Sequence, residues 1–317
     1  MTKSVARLRS VGDHCYAWVH SLATWGYSNA GVVVDASGRQ GLLVDTQFTL
    51  GWTRQLRDAI TDTLPELAIS DVVNTHANGD HTHGNMVFAD ARVWSSKQTA
   101  ADVAAEVSPE MLRQVFTSSL PEPLAGYAHR FFGQFDFSDI QTVPPTDTFS
   151  GQHTLRVGDT AVELLELGPA HTHGDVAVLV ADDGVLFTGD LLFVGDHPVT
   201  WSGPLDGWIA ACERMLATGA TTIVPGHGPV VGPDVLREFM HYLEHVAEHA
   251  LAACRAGTPY TEAARTLPIP EYAQQWGNPE RLVFLVAAVY RSVGAPAPLA
   301  QLELLADAAQ IAASLGR

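Results

Sequence analysis

Short apolar runs separated by Gly, Asn and Asp characterise the first third of the chain. CYAWVH (15–20), NAGVVVDA (29–36) and QGLLVDT (40–46) are rich in β-branched and aromatic residues, which favour strands joined by turns. TRQLRDAITDTL (53–64) instead has apolar residues at helical spacing. The next run, ISDVVNTH (69–76), predicts a strand that leads into a polar loop, as in α/β sites built at strand ends.

Two hairpins and a final strand are predicted farther along the chain. Residues 154–167 alternate apolar and polar positions on both sides of a turn at Gly158. Residues 176–193 repeat this pattern, and residues 221–229 form a short strand followed by a Gly/Pro loop. Between these regions, residues 97–135 have the spacing of amphipathic helices interrupted by two prolines.

The last part of the chain has only helical patterns. A long run of helical spacing ends on Gly257, a typical helix terminator, and the Thr-Pro pair that follows predicts the start of the next helix. Residues 279–294 and 299–316 predict two more helices. We therefore divide the chain into residues 1–235 and a helical C-terminal extension, residues 236–317, which packs either on the first part or on a partner chain.

Composition and charge narrow the possible partners. The formal charge is −17 with only 18 Lys and Arg residues, which disfavours contacts with nucleic acids and with anionic membranes. Three scattered cysteines form no disulfide framework, and no apolar run approaches the roughly 20 residues that cross a bilayer. The first residues lack the apolar stretch of a signal peptide. We expect a cytoplasmic protein without nucleic-acid or membrane partners.

Histidines and aspartates that follow predicted strands are the candidate chemistry. The chain has 14 histidines, but only a few lie in Gly-rich loops directly after strands. Imidazole and carboxylate together suit Zn²⁺, Fe²⁺ or Mn²⁺, and a bridging carboxylate can hold two such ions about 3.5–4 Å apart. The candidate ligands are His76, Asp80, His81, His171, Asp190 and His227.

These residues occur in an ordered set of motifs: NTHANGDHTHGN (74–85), GPAHTHGD (168–175), LFTGDLLF (186–193) and VPGHGP (224–229). Together with SNAGVVV and LLVDT, the set resembles the metallo-β-lactamase-fold hydrolases, whose motif is H-x-H-x-D-H followed by His, Asp and His. The resemblance covers about residues 15–235. It implies an α+β fold, the αββα sandwich, with the metal site at one edge between two sheets and the helical extension after it.

Carried over by position, the resemblance implies two metal sites around one shared aspartate. One metal would bind His76, Asn78, His171 and Asp190, and the other would bind Asp80, His81, His227 and Asp190. Asn78 stands where the family motif has histidine, and an amide oxygen is a weaker, harder donor than imidazole. Asn78 either ligates directly or through water, or leaves the first site empty, or is replaced by His83 or His173. The expected cofactor is one or two zinc ions, with iron or manganese as alternatives.

The resemblance also implies the chemistry. In a hydrolase of this family, the metal lowers the pKa of bound water, and Asp80 would orient the hydroxide as the catalytic residue. A small ester, thioester, lactone or amide is the expected substrate. The alternative on the same fold is a non-hydrolytic enzyme, either a lyase or decarboxylase or an iron-dependent oxygenase. A binding or scaffolding protein is a third hypothesis, and β-lactamase activity itself is not expected.

Substrate contacts are expected on the loops around the metals. In the family arrangement, Trp25 and Tyr27 would lie at the rim of the site, and so would His197 and Trp201 in the loop after Asp190. The helical region 97–135 would form a lid over an apolar pocket. Core packing is an alternative role for each of these side chains. The helical extension also makes a homodimer possible.

Two further features call for a simpler interpretation. His241, Glu244 and His245 spell H-x-x-E-H on a predicted helix, but His249 and Glu248 on the same turn indicate a solvated polar face instead. Asp45, at the end of LLVDT, is expected to be structural and to hydrogen-bond the metal loops.

Overall fold

Two β-sheets form the centre of the structure, a computed structural model that describes residues 4–117 and 120–317. The first sheet has its strands in chain order: β1 (Ala6–Ser10), β2 (Cys15–His20), β3 (Ala30–Val34), β4 (Gln40–Val44), β5 (Ala68–Val73), β6 (Arg92–Ser96) and β7 (Asp147–Phe149). The second sheet contains β8 (Gln152–Val157), β9 (Thr160–Glu166), β10 (Val176–Val180), β11 (Val185–Phe193) and β12 (Thr222–His227), also in chain order.

The helices surround these sheets. Those before the second sheet are α1 (Leu50–Thr63), α2 (Gly79–Thr82), α3 (Lys97–Val103), α4 (Pro109–Thr117) and α5 (Leu124–Phe132). Helix α6 (Leu205–Ala217) connects β11 to β12. The chain continues with α7 (Pro233–Arg255), α8 (Tyr260–Thr266), α9 (Leu282–Ser292) and α10 (Gln301–Ser314).

Strand direction changes within each sheet. Strands β1 to β4 pair in antiparallel fashion, whereas β4 to β7 pair in parallel. In the second sheet, β8 to β11 are antiparallel and β11 pairs in parallel with β12. Parallel neighbours bring their carboxyl ends to the same edge of a sheet, so the loops after β4 and β5 leave together and the end of β12 lies beside β11.

The alternation of side chains along the strands produces four layers. Leu42 points into the apolar cluster between the sheets, and its neighbour Leu43 points the other way, against Leu56 of α1. On the far side of the second sheet, Leu186 packs in the same cluster as Trp208 of α6. Helix, sheet, sheet and helix therefore follow one another. This confirms the predicted α+β class and αββα sandwich.

Most elements predicted from local patterns are confirmed. The two hairpins are β8–β9 and β10–β11, and the final strand is β12. Region 97–135 is helical as α3, α4 and α5, although residues 118 and 119 of this predicted lid lie outside the described part of the chain. Gly257 follows α7 with φ of 78°, as a helix terminator does. Helix α8 begins one residue later than predicted, because Pro259 keeps an extended backbone.

The helical extension packs on the rest of the chain. Every residue of α9 from Leu282 to Tyr290 is buried, as expected for a helix that is apolar on all sides. These residues share an apolar cluster with Trp208 of α6. A buried ion pair adds a polar link, since Arg281 Nη1 lies 2.6 Å from Asp196 Oδ2 in the loop after β11. Within the two described ranges, none of the helices combines the length and apolar character needed to cross a bilayer.

Candidate metal centre

The candidate ligands converge at one edge between the two sheets. They are His76 after β5, Asp80 and His81 in α2, His171 between β9 and β10, Asp190 in β11, and His227 at the end of β12. The pairing of β11 with β12 is irregular around Gly189, which has φ of 50°. Such a bulge re-aims the following side chain. A Cβ at Gly226 would collide with the Asp190 carboxylate, so this glycine makes room for it.

Asp190 lies at the centre of the arrangement, with one carboxylate oxygen directed to each side. Its Oδ2 is 3.5 Å from His171 Nε2 and 3.9 Å from His76 Nε2. Its Oδ1 is 3.2 Å from His81 Nε2 and 3.4 Å from His227 Nε2. The ligand atoms form a first group, His76, His171 and Asp190, and a second group, Asp80, His81 and His227, each with all atoms within 4.8 Å of one another.

Unpaired polar atoms show that these groups fit a metal ion. Nε2 of His76, His81 and His227 and Oδ1 of Asp190 are buried and have no hydrogen-bond partner among the described residues. Buried polar groups are almost always hydrogen-bonded, because a buried group without a partner costs about 1–3 kcal/mol of stability in mutational data. Four unpaired atoms that face one another are therefore suited to a shared cation. Neutral imidazole and carboxylate donors match a transition ion such as zinc.

The electrostatics of the site favour the ligand forms of His76, His171 and Asp190, whereas the nearby carboxylates, Asp190 above all, raise the pKa of His81 and His227. Burial lowers the pKa of His76 well below its usual value, and burial also lowers that of His171, so both rings are neutral with a lone pair free. Burial opposes ionisation of Asp190, but the neighbouring His227 and His81 outweigh it and hold the pKa of that carboxyl well below its usual range. Asp190 is therefore anionic at neutral pH.

Asp45 orients two of the ligand loops. Its Oδ2 lies 2.8 Å from His81 Nδ1, which leaves Nε2 of that ring directed at Asp190. The same carboxylate accepts hydrogen bonds from the backbone N–H and the hydroxyl of Thr75, both at 2.7 Å. Asp45 has φ of 62°, a conformation that costs energy for a residue other than glycine. The structural role predicted for Asp45, hydrogen-bonding the metal loops, agrees with these contacts.

Asn78 directs its amide oxygen at the first group. Its Oδ1 lies 2.8 Å from His171 Nε2, and its Nδ2 donates a hydrogen bond of 3.0 Å to Glu106 Oε2. When Glu106 is ionised, its carboxylate can only accept hydrogen bonds, so it then distinguishes the two ends of the amide and keeps the oxygen on the side of His171. Sequence reasoning missed Glu106, because no motif marks a residue that acts only through Asn78. Burial raises the pKa of Glu106 to about 7.

The two histidines considered as replacements for the missing imidazole lie elsewhere. His83 stacks on Phe48 with ring centroids 5.5 Å apart, and its Nδ1 lies 3.3 Å from the Phe48 carbonyl oxygen. The His173 side chain is 59% exposed and lies 3.3 Å from Asp102. Neither belongs to a metal group. The geometry thus gives no support to the third interpretation of Asn78, in which His83 or His173 takes the place of the missing histidine ligand.

The sequence comparison agrees with this geometry. The family described as the metallo-beta-lactamase superfamily matches residues 23–227, a range that contains every ligand of both groups. The chain belongs to the metallo-β-lactamase superfamily. The relatives and solved structures described next share between 18% and 26% of their residues with this superfamily member over the aligned regions.

Two characterised relatives have different activities in their names. The 2,4-dinitroanisole O-demethylase subunit alpha of Nocardioides sp. (strain JS1661) is 26% identical over 219 residues, which are 68% of this chain and 58% of that protein. The chain thus spans less than two thirds of that relative. The human acyl-coenzyme A thioesterase MBLAC2 is 22% identical over 246 residues, which are 72% of this chain and 83% of that protein.

Solved structures share the fold. The metallo-beta-lactamase from Pontibacter korlensis has a TM-score of 0.57 at 21% identity, covering 76% of this chain and 99% of that one. The mono-zinc form of the metallo-beta-lactamase FIM-1 from Pseudomonas aeruginosa has a TM-score of 0.55 at 18% identity, covering 75% of this chain and 95% of that one. The C-terminal helices of this superfamily member are added to that common fold.

A cavity of about 260 Å³ opens beside the two metal groups. Asn78, Asp80, His171 and Asp190 lie in its lining, so a molecule in the cavity would meet the ligands directly. Helices α4 and α5 cover it, as predicted for the lid region. Helix α10 also contributes to the wall of the cavity. The sequence did not predict this, because the apolar pattern of a helix does not show which distant residues the helix contacts.

Of the four residues predicted to contact the substrate, two line the cavity and two do not. Trp25 and Trp201 line the cavity, with their rings stacked at 6.5 Å between centroids. Tyr27 does not line it and packs instead against Phe135, 5.0 Å away, in a buried aromatic cluster. His197 also lies outside the lining. It is buried with its Nδ1 2.7 Å from the Tyr242 hydroxyl, so both Tyr27 and His197 have the packing role that was their alternative.

The H-x-x-E-H segment of α7 has no metal geometry. His245 Nε2 lies 2.7 Å from the Pro268 carbonyl oxygen, and His249 Nδ1 lies 2.9 Å from the His245 carbonyl oxygen. Within the described part of the chain, neither residue belongs to a cluster that could hold an ion. The preference for the loop histidines over this helix agrees with the structure.

Proposed function

We propose that this superfamily member is a metal-dependent hydrolase of a small acyl compound, such as an ester, thioester, lactone or amide, with zinc as the ion. One observation carries the proposal. Two groups of imidazole and carboxylate ligands lie on either side of the Asp190 carboxylate and have unpaired buried atoms, and Asp80, His171 and Asp190 also line a cavity that can hold a small molecule. Zinc in such a site supplies Lewis acidity and brings the pKa of water to about 7.

Asp80 is the residue to which we assign the catalytic role. Its Oδ2 accepts a hydrogen bond of 3.1 Å from the backbone N–H of Gly26 and lies 3.5 Å from His227 Nε2. Its carboxylate therefore has a fixed orientation and also lines the cavity. A group in this position can hold the attacking water by its proton and aim the oxygen at a substrate carbonyl.

The names of the relatives support an enzymatic function for this chain. They do not agree on the type of bond that is cleaved. The thioesterase name fits the proposed acyl substrate, whereas the demethylase name indicates a carbon–oxygen bond that is not in an acyl group. Asn78 supports the second candidate, a non-hydrolytic lyase, decarboxylase or iron-dependent oxygenase, because it makes the first group weaker than the second. Iron in the purified protein together with oxygen uptake would favour that candidate over hydrolysis.

Metal analysis combined with an ester assay tests the proposal. The protein is purified without added metal, its zinc, iron and manganese contents are measured, and hydrolysis of 4-nitrophenyl acetate is followed before and after chelation. We expect one or two zinc ions per chain, loss of activity on chelation and recovery when zinc returns. Asp80→Ala should lower kcat by about 100-fold or more, since it removes a positioned proton acceptor.

An exposed histidine of the lid provides the control. His129 is exposed on α5 and should be replaceable by alanine without change in metal content or rate. A metal-free protein that gains no activity with zinc, iron or manganese would contradict the proposal. Full activity of Asp80→Ala with its metal retained would contradict the role of Asp80.

A small-molecule substrate and a cytoplasmic location are parts of the same proposal. The three cysteines are free, and burial raises the thiol pKa of Cys15 and Cys212, which keeps them unreactive. Such cysteines suit a reducing compartment.

A further inference from the structure

The cavity beside the metal groups changes in character along its length. With the exception of Gln301, its charged and amide side chains belong to the metal groups or to their neighbours Asn78, His83 and Glu106. The part away from the metal is formed by aliphatic and aromatic side chains from the lid helices and α10. Apart from Gln301 and the hydroxyl of Tyr127, an occupant therefore meets polar groups mainly at the metal end, which is the layout of a site for a molecule with a reactive head and an apolar body.

The charge of the cavity lining disfavours a ligand with a negatively charged group in the apolar part of the cavity. None of the described residues that line the cavity is Lys or Arg, whereas Asp80, Asp190 and Glu106 are acidic. A negatively charged group placed deep in the cavity would lose its hydration without gaining a cationic partner there, apart from a bound metal at the far end. The formal charge of −17 on the chain adds to this repulsion.

The outer wall of the cavity is aliphatic and partly open. Leu302 and Leu305 of α10 and Met111 and Leu112 of α4 contribute to it. Leu302 and Met111 are each 54% exposed, which is unusual for large apolar residues of a cavity wall. An apolar occupant would remove these side chains from water, and each buried methylene group is favourable by roughly 0.8 kcal/mol.

We propose that this cavity binds the uncharged acyl chain of the substrate, with the scissile carbonyl at the metal groups and the chain between α4, α5 and α10. The inference rests on the proposed function and specifies its substrate class: esters or thioesters of medium-length, uncharged aliphatic acids. The volume of about 260 Å³, just below the roughly 300–1,000 Å³ of typical small-molecule sites, suits a single chain of medium length. The C-terminal extension is then part of the substrate site.

A chain-length series with matched variants tests the inference. In the metal-loaded protein, kcat/KM for 4-nitrophenyl octanoate should exceed that for 4-nitrophenyl acetate by about tenfold or more, because methylene groups are buried only in the longer ester. Leu302→Arg should remove most of that advantage, because a cation then lines the outer wall. Leu302 is largely exposed, so this variant keeps the fold.

The control is a leucine close by that does not line the cavity. Leu299 is 80% exposed just before α10, and Leu299→Arg adds the same charge. It should change neither the octanoate nor the acetate rate. An equal effect of the two variants would overturn the inference, because general charge rather than the cavity wall would then be responsible.

A binding measurement separates this inference from the proposed function. N-phenyl-1-naphthylamine, a neutral apolar dye that no hydrolase cleaves, should bind the metal-loaded protein, be displaced by 1-octanol and bind several-fold more weakly to Leu302→Arg. Binding and displacement without hydrolysis of any ester would support the apolar site and refute the proposed hydrolase. Hydrolysis of the acetate and octanoate esters at equal rates, with no displacement of the dye by octanol, would refute the apolar site and leave the hydrolase intact.

Discussion

Asn78 shows how one side chain can change the balance of a metal centre. Its amide oxygen faces His171 and its amide nitrogen donates to Glu106, so the oxygen takes the place at which the superfamily motif has an imidazole. An amide oxygen binds zinc less strongly than imidazole does. We therefore propose that the first group binds a metal ion more weakly than a group with histidine at this position would, with no change in charge.

Asn78→His should therefore strengthen the first group. We expect titration of the metal-free protein with zinc to show the weaker of two binding steps tightening by about tenfold or more, as one neutral donor is exchanged for a better one. The tighter step should not change. Calorimetric titration checks both, and an unaltered weaker step would show that the position does not contact the ion.

Asp45→Asn tests the orientation of His81. The amide keeps the shape and tolerates the positive φ of this position, but it removes the negative charge that holds His81 Nδ1. Zinc affinity should fall by about 10–100-fold, as it does when such outer partners are changed. Asp182→Asn, at an exposed turn, should leave the affinity unchanged, and an equal loss there would contradict the assignment.

The convergence of the candidate ligands could be predicted from sequence because they lie in short motifs that occur together in a fixed order. Trp25 and Tyr27 show where that stops. Both occupy the same turn, yet Trp25 lines the cavity and Tyr27 packs against Phe135. Tyr27 packs on Phe135, whereas Trp25 packs on Phe131 and other rings. These partners lie more than 100 positions later in the chain, so no local sequence pattern predicts which ring each residue meets.

At the scale of elements, strands and hairpins were predictable and the arrangement of the helices was not. Apolar alternation in β8 and β9 specifies the two faces of that hairpin, whereas the continuous apolar runs of β10 and of the all-apolar helix α9 indicate burial. The return of α10 to the cavity depends on how α7 to α9 turn the chain, a long-range property. Arg281 links the helical extension to the rest of the chain. Its guanidinium pairs with Asp196 and lies 4.0 Å from the ring centroid of Trp25.

Arg281→Met should destabilise the protein strongly. It leaves the buried carboxylate of Asp196 without its cation, a change that typically lowers the free energy of unfolding by about 3–5 kcal/mol. Equilibrium unfolding in urea measures the loss. Arg237→Met is the matched control, because Arg237 pairs with Asp234 on the exposed face of α7, where ion pairs contribute little. Similar midpoints for both variants would contradict a structural role for the buried pair.

At the scale of the whole molecule, buried neutral histidines make the fold sensitive to acid. Burial lowers the pKa of His20 and of His197 to about 4 each, whereas an unfolded histidine titrates near 6.5. Between these values the unfolded chain takes up protons that the folded protein excludes. Their contribution to stability is thus complete above about pH 6.5 and is lost as the pH falls toward 4.

His197→Gln should make the stability of the protein less dependent on pH. Between pH 6 and 5, one such histidine contributes about 1.4 kcal/mol per pH unit to the free energy of unfolding, and the variant should lack that amount of slope. Urea unfolding of the metal-free protein at pH 7, 6 and 5 provides the comparison. His129→Gln, on an exposed position of α5, should retain the original slope, and a loss of slope in both variants would contradict the role of burial.

The central position of Asp190 limits where a lineage of such proteins can vary. Its two oxygens serve separate sets of imidazoles, so replacing it disables both halves in a single mutational step. An exchange at the periphery, such as the amide at position 78, weakens one half and leaves the other with its own donors. We therefore expect related proteins that use other ions or catalyse other reactions to differ at the outer ligands and to keep the aspartate at position 190.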